Sequence, residues 1–209
     1  MDELNVFSSE YVYDFEKYYE SMDISKEQKE KRTETANDLW YVFLFLFAML
    51  KEAIEDGGLD YAFILSMFQT QFSDAVTKYS DMDDYIREYI SDFTQNTMDV
   101  TWEHTDFTDP NSYWLSDERA SLLALNESNT VNNYSELKKA IKEGYTHKTW
   151  KAEIDRRTRK DHVSMDGKTI EIDKYFEFPD CRMIAPHDML NGTDKELCNC
   201  RCSLEYIKK

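Results

Sequence analysis

The chain has 209 residues, a formal charge of −17 and 41% hydrophobic residues. A chain of this length and apolar content can bury a sizeable core in one domain or two small ones, which excludes a disordered protein. The charge is uneven: residues 1–120 contain 27 Asp and Glu against 9 Lys and Arg, whereas residues 121–209 contain 15 against 16. The N-terminal part should therefore repel nucleic acid and anionic membranes, and the C-terminal part need not.

The sequence contains no segment that predicts export or membrane insertion. The N-terminus, Met1-Asp2-Glu3-Leu4, is acidic and lacks the basic and apolar regions of a signal peptide, so the protein is expected in the cytoplasm. The longest apolar run, residues 39–50, is much shorter than the roughly 20 residues needed to cross a bilayer. The four cysteines lie between residues 181 and 202. In a cytoplasmic chain, that position favours reduced thiols or a bound metal over disulfides.

Residues 1–112 are predicted to form an acidic, all-helical domain. Ser8 or Ser9 can cap a first helix that ends near Asp23. Ser25 with Gln28 forms a capping box for a second helix, whose charged first half is expected to project and whose apolar second half is expected to be enclosed. Apolar residues at helical spacing predict a third and a fourth helix that cover it: Leu65, Phe68, Phe72, Val76 and Tyr79, then Tyr85, Ile86, Tyr89, Ile90 and Phe93.

Residues 113–209 are interpreted as a separate module, because the helical periodicity is lost between residues 99 and 113. Ser116 is a predicted N-cap for a helix that ends at Gly144 and that can break near Asn132. Strands are predicted at residues 149–154, 168–172 and 203–207, with a turn at Asp166-Gly167. The predicted fold class is α+β, in which one or two helices pack on a short antiparallel sheet after the helical domain.

Cysteine and histidine side chains near the C-terminus are candidate zinc ligands. Three cysteines occupy alternate positions, so an extended chain could present their sulfurs on one side. Sulfur and imidazole are the ligand types that zinc prefers. The alternative interpretation is that the cysteines are small buried residues that close the last strand, and that the histidine hydrogen-bonds a neighbouring strand. The candidate ligands are Cys198, Cys200, Cys202 and His162, with Cys181 or His187 as a further ligand.

The same region resembles a known family in the order and spacing of its residues. The pattern Trp-x4-Asp-x-Arg-Thr-Arg-x2-His-x3-Asp-Gly begins at Trp150, and Asn-Cys-Arg-Cys at residues 199–202 closes it downstream. From about Arg119 to Ile207, the chain resembles the phage head morphogenesis proteins named after the F protein of phage Mu, the minor head proteins. The residues interpreted as the structural motif are Glu127, Trp150, Asp155, Arg157, Thr158, Arg159, Asp166, Gly167, Asn199 and Arg201.

The resemblance implies a phage minor head protein that acts in head morphogenesis and has no catalytic activity. It implies a location in the host cytoplasm during assembly and then in the virion. The expected partners are the portal and other head proteins in the procapsid interior, with packaged DNA as a minor contact and no membrane. Family members often have Cys-x2-Cys where this chain has residues 159–162, and the implied cofactor is either none or zinc.

Two other classes of function remain open from the residues themselves. His162, Glu127 and the cysteines could form a metal-dependent hydrolase site, although no nucleophile motif accompanies them. The acidic N-terminal part could instead mimic nucleic acid and inhibit a protein that binds it.

The arginines of the motif also have two interpretations. Arg157 and Arg159 could contact DNA phosphates. The carboxylates of Asp155, Asp161 and Glu127 lie close to them in the pattern, so a buried or half-buried ion network that sets the geometry of the module is preferred.

Overall fold

A computed structural model describes residues 13–56, 58, 60–106, 108–109 and 111–209 of the chain. Its first helix begins after Asp14, whose side chain accepts the Lys17 amide at 2.9 Å. The caps predicted at Ser8 or Ser9 lie outside the described residues. The helices of this part are α1 (Phe15–Glu20), α2 (Lys26–Asp56), α3 (Tyr61–Thr77) and α4 (Asp84–His104), followed by a short 3-10 helix (Tyr113–Leu115) and α5 (Asp117–Lys142).

Side-chain caps set where the long helices begin. The predicted capping box is present before α2: the Gln28 amide donates to Ser25 Oγ at 3.2 Å, and the Ser25 amide donates to Gln28 Oε1 at 3.0 Å. Asp60, Asp83 and Ser116 each accept an amide from the first turn of α3, α4 and α5. These caps satisfy amides that a helix start leaves without a partner, so local sequence predicts them well.

The apolar second half of α2 is enclosed, as predicted. Leu39, Phe43 and Leu46 are fully buried. The Phe43 ring lies 6.0 Å from the ring of Phe72 on α3 and 6.0 Å from the ring of Phe93 on α4. Aromatic pairs at this separation add to the stability that burial of apolar area supplies. The faces of α3 and α4 that their spacing predicts therefore cover α2.

The first half of α2 does not project, so that prediction is wrong. Arg32 and Ala36 are fully buried, because this half packs against α5. The Arg32 guanidinium donates to Asn129 Oδ1 and to Asn133 Oδ1, both at 2.9 Å, and it pairs with Glu136 at 3.2 Å. A charged side chain can be buried at this position because α5 supplies its acceptors.

Helix α5 is continuous, so the break near Asn132 that the sequence left open does not occur. Asn132 Nδ2 donates to the carbonyl of Ser128 at 2.8 Å and to Thr35 Oγ1 of α2 at 3.0 Å. The asparagine therefore makes its hydrogen bonds from within the helix instead of ending it. The helix ends at Lys142, and the predicted stop signal Gly144 follows its C-cap residue with a φ of 78°, a conformation that glycine adopts without a steric penalty.

The C-terminal part alternates short strands and short helices. They are β1 (His147–Lys151), α6 (Lys160–Met165), β2 (Thr169–Glu171), β3 (Phe176–Glu177), β4 (Arg182–Met183), α7 (Asp194–Leu197) and β5 (Ser203–Ile207). Strand β1 is central in a three-stranded antiparallel sheet between β2 and β5, and Trp150 pairs with Leu204. The predicted α+β architecture is confirmed, although the sequence did not predict α6, α7 or the separate hairpin of β3 and β4.

Strand β1 ends at Lys151, earlier than predicted. The Ala152 amide donates to the side chain of Asp166 at 2.9 Å instead of to a neighbouring strand, and the Ile154 side chain is 54% exposed. A turn follows, in which the Arg157 amide donates to Asp155 Oδ1 at 2.7 Å. The apolar alternation used for the prediction therefore continues beyond the last residue that pairs with another strand.

Buried apolar residues form two clusters that share α5. The first lies among α1 to α5 and includes Leu125 and Val131, and the second lies between α5 and the sheet and includes Leu137 and the fully buried Trp150. Because one helix contributes to both clusters, the position of the sheet is linked to that of the helices. Within the described residues, no helix combines the length and apolar character needed to span a membrane.

Replacing Arg32 by methionine should lower the free energy of unfolding by about 3 kcal/mol or more, because buried acceptors on α5 would lose their donor. Urea denaturation measures this change. Arg87→Met is the matched control: Arg87 is 60% exposed in its pair with Asp84, so its loss should cost less than about 0.5 kcal/mol. Equal losses in both variants would contradict the structural role of Arg32.

Candidate functional site

Three of the predicted metal-ligand side chains come together beneath the sheet. His162 lies on α6, and Cys200 and Cys202 immediately precede β5. His162 Nδ1 lies 3.2 Å from the sulfur of Cys202 and 3.5 Å from that of Cys200. All three side chains are buried, and their potential ligand atoms lie within 4.8 Å of one another. We refer to these three residues as the His162 cluster.

The other predicted ligands do not join the His162 cluster. Cys198 is exposed, and Cys181 is partly exposed at another position. His187 is buried, but its Nε2 donates to the carbonyl oxygen of Cys200 at 2.6 Å. His187 therefore fixes the backbone at Cys200 and is not one of the clustered potential ligands.

A buried carboxylate orients the imidazole of the cluster. His162 Nε2 donates to Glu196 Oε2 of α7 at 2.8 Å, and both side chains are almost fully buried. Lys195 Nζ lies 2.7 Å from the other oxygen of this carboxylate. A carboxylate oxygen accepts this hydrogen bond, so His162 Nε2 carries a proton, and Nδ1 is directed at the sulfurs. Glu196 thus has the position of the carboxylate that commonly supports a metal-binding histidine.

Hydrogen bonds inside the cluster shift the pKa values of its members. Burial acts to raise the pKa of Cys200, but the hydrogen bond with Cys202 and the nearby imidazoles of His187 and His162 lower it well below its ordinary value. The hydrogen bond with Cys200 and then burial raise the pKa of Cys202. Burial lowers the pKa of His162, but Cys200 and Glu196 outweigh it, and the net shift is upward. Cys200 is therefore the member whose thiolate form the surroundings favour.

The separations inside the cluster fit zinc. Zinc bonds of about 2.1 Å to nitrogen and 2.3 Å to sulfur at a tetrahedral angle place those two atoms about 3.6 Å apart. The observed nitrogen-to-sulfur separations of 3.2 and 3.5 Å are close to that value. These separations also fit hydrogen bonds between an imidazole and thiols, so the geometry is compatible with both interpretations made from the sequence.

The residues of the motif around Trp150 hold the turns of the module. Gly167 has a φ of 75° and donates its amide to the carbonyl of Trp150 at 2.9 Å, which completes the predicted Asp166-Gly167 turn. The Trp150 ring packs edge-on to His162, with ring centres 5.8 Å apart. Asn199, with a φ of 55°, donates its amide to Asn126 Oδ1 of α5 at 2.8 Å. Each contact fixes the backbone around the His162 cluster.

The ion network predicted for the arginines forms only in part. Asp155 pairs with Arg157 at 3.4 Å and with Arg201 at 2.5 Å, but it lies at the surface. Thr158 supports the same turn, because its hydroxyl accepts the Asp155 amide at 2.8 Å. Arg159 donates to the carbonyl of Cys198 at 2.6 Å and pairs with none of the predicted carboxylates.

The other two predicted carboxylates bind different partners. Asp161 pairs with Lys195 at 2.8 Å. Glu127 is buried on α5 and accepts from the Tyr89 hydroxyl of α4 at 2.6 Å. The predicted grouping of Glu127 with His162 and the cysteines is therefore wrong, because the Glu127 side chain is bound to the helical part of the chain.

The sequence did not predict the burial of two carboxylates, Glu196 and Asp188. Glu196 supports His162, and Asp188 accepts from the Tyr85 hydroxyl at 2.9 Å and from the Ile184 amide at 2.8 Å. In the sequence, Glu196 follows the polar residues Thr193, Asp194 and Lys195, whereas Asp188 stands between His187 and Met189. No local signal separates such residues from solvated ones, because their burial depends on partners from distant segments.

The pKa of Glu127 is raised to about 7, because burial outweighs the hydrogen bonds that favour its ionised form. Between its unfolded pKa and about 7, the folded chain binds more protons than the unfolded chain, so stability falls as the pH rises through this range.

Replacing Glu127 by glutamine should remove this pH dependence. Relative to the variant, the wild-type chain should lose about 3 kcal/mol of unfolding free energy between about pH 5 and pH 8. Urea denaturation across that range measures the difference. Glu118→Gln changes an exposed glutamate of the same helix and should give a flat difference. If the difference in unfolding free energy between wild type and Glu127→Gln also did not change with pH, the raised pKa of Glu127 would be contradicted.

The comparisons with known proteins identify the family of the chain. Residues 68–205, from α3 to β5, match the family described as Phage Mu protein F like protein. Minor head protein GP7 of Bacillus phage SPP1 is 35% identical over 97 residues, which cover 44% of this chain and 31% of that protein. The chain thus matches about a third of the length of that relative, and no solved structure matches it. The resemblance seen in the sequence is confirmed: this chain belongs to the phage Mu F-like family of minor head proteins.

Proposed function

We propose that this chain is a structural, non-catalytic component of a phage head that assembles with the portal in the procapsid interior. The observation that carries the proposal is the family match over residues 68–205, which includes α5 and the elements that follow it up to the first part of β5. The similar protein from Bacillus phage SPP1 bears the name minor head protein. The proposed location is the host cytoplasm during assembly and then the virion.

The contacts of the motif residues support a structural role. The side chains of Asp166 and Thr158 hydrogen-bond backbone groups of the module, and Trp150 is in its core. The backbone amide of Asn199 donates to the side chain of Asn126 on α5. Residues used in this way stabilise turns and packing, whereas catalysis requires groups directed at a reacting atom. A structural role is therefore the simplest explanation of these contacts.

Packaged DNA is proposed as a minor partner only. Arg157 is 72% exposed and accessible to a phosphate, but it already pairs with Asp155. The net charge of −17 opposes association with a polyanion, because phosphate contacts supply most of the affinity in DNA binding.

Purified procapsids of the phage should contain this chain, and the chain should co-purify with the portal protein when the two are produced together. The matched control is production with the major capsid protein alone, which should not retain it. Quantitative mass spectrometry of the particles measures the incorporation. A chain that never enters particles would contradict the proposed function.

We further propose that the His162 cluster holds one zinc ion. The observations in favour are the convergence of His162, Cys200 and Cys202 and the carboxylate of Glu196 on the far side of the imidazole. A bound zinc ion would cross-link α6 to the segment just before β5, and the role proposed for it is structural. The remaining coordination position would be filled from outside these three residues.

Elemental analysis of the chain purified under reducing conditions should find about one zinc per chain. Cys202→Ser should abolish binding, whereas Cys198→Ser changes an exposed cysteine outside the cluster and should leave the content unchanged. Glu196→Gln keeps every ligand and should weaken zinc binding by about 10- to 100-fold. Circular dichroism verifies that each variant folds. A wild-type chain without zinc would favour a hydrogen-bonded thiol cluster instead.

A further inference from the structure

A cavity of about 550 Å³ opens at the His162 cluster, and all three residues of the cluster line it. Its other walls come from α1, the N-terminal half of α5, the turn at residues 153–159 and the segment before β5. This cavity has a chemical character that neither the motif nor the zinc proposal explains. Its lining combines several arginines with apolar and aromatic side chains.

Three guanidinium groups line the cavity: Arg157, Arg159 and Arg201. Among the described residues, one terminal nitrogen of Arg159 donates to the carbonyl oxygen of Cys198. One terminal nitrogen of Arg201 donates to the carboxylate of Asp155. A guanidinium carries five N–H donors, so both groups have donors to spare for a ligand.

The carboxylates near these arginines are already engaged. Glu153, which lines the cavity, accepts the Asp23 amide at 3.0 Å, and Asp155 is shared between Arg157 and Arg201. Among the described residues, two carboxylates therefore face three guanidinium groups in this region. One further carboxylate would balance the local charge and could be bound by two N–H groups at once.

Another part of the cavity lining is apolar. Leu122 of α5 is 39% exposed there, beside Leu125 and the ring of Tyr18 from α1. An exposed leucine in a concave site with aromatic neighbours is typical of a surface that binds another apolar side chain.

We propose that this cavity binds a peptide segment of a partner protein in which an aspartate or glutamate stands next to an apolar residue. The carboxylate binds between the arginines, and the apolar side chain packs against Leu122 and Tyr18. A DNA duplex carries its phosphates on a convex surface and cannot place them inside a cavity of this size, which favours a peptide. This proposal rests on the proposed function, because the bound peptide would belong to another head protein that docks on this chain.

The test is selection of a displayed library of random twelve-residue peptides on the purified full-length chain under reducing conditions. Selected peptides should carry an acidic residue beside an apolar one. Arg157→Glu should weaken the best peptide by at least about tenfold, because a charge-assisted contact becomes a repulsion. The matched control is Arg156→Glu, which reverses an exposed neighbouring arginine outside the cavity and should change the affinity less than about twofold.

A second matched pair tests the apolar wall. Leu122→Ser should weaken the peptide, whereas Ile141→Ser changes another exposed apolar residue of α5, outside the cavity, and should leave binding unchanged. The proposal is overturned if no peptide is enriched, if the enriched peptides lack acidic residues, or if the members of either pair behave alike. Displacement of the peptide by a single-stranded oligonucleotide would also overturn it. Particle incorporation tests the proposed function separately, since the selection uses only the purified chain.

Discussion

The buried guanidinium of Arg32 is the contact on which the arrangement of this chain most depends. It binds Asn129, Asn133 and Glu136, which are spaced four and three residues apart on one face of α5. A shift of α5 by one turn would leave a buried charge without these acceptors, and such a loss costs about 3–5 kcal/mol. Apolar burial supplies most of the stability. The polar contact favours the observed alignment of α2 and α5, because in this alignment the buried charge has three acceptors.

The same face of α5 extends this alignment to the C-terminal module. Asn133, which accepts from Arg32, also donates to the carbonyl oxygens of Pro186 at 3.1 Å and of Cys202 at 3.4 Å. A single asparagine therefore links the buried charge of α2 to a residue that faces His162. Hydrogen bonds of this kind add little net stability when they are made, but leaving one buried group unpaired is costly. The hydrogen bonds of Asn133 therefore fix the position of the C-terminal strands relative to the helices.

The candidate site depends on this support because its own elements are short. Helices α6 and α7 have six and four residues, far below the length at which a helix is stable alone. The bond between His162 and Glu196 and the ion pair between Asp161 and Lys195 join these two helices. The turn at Asp155 then positions the arginines at the cavity. Zinc ligation and peptide docking would thus share one scaffold while using different side chains.

The sequence by itself determined the features that depend on neighbouring residues: the capping box at Ser25, the turn at Asp166-Gly167, the enclosed half of α2 and the last strand. It also marked the residue types of the His162 cluster. Only the tertiary structure decided which cysteines approach the histidine and which polar residues are buried, such as Arg32 and Glu196. The physical reason is that periodicity describes one element at a time. Burial of a polar side chain depends on hydrogen-bond partners that other elements supply, and local spacing contains no information about them.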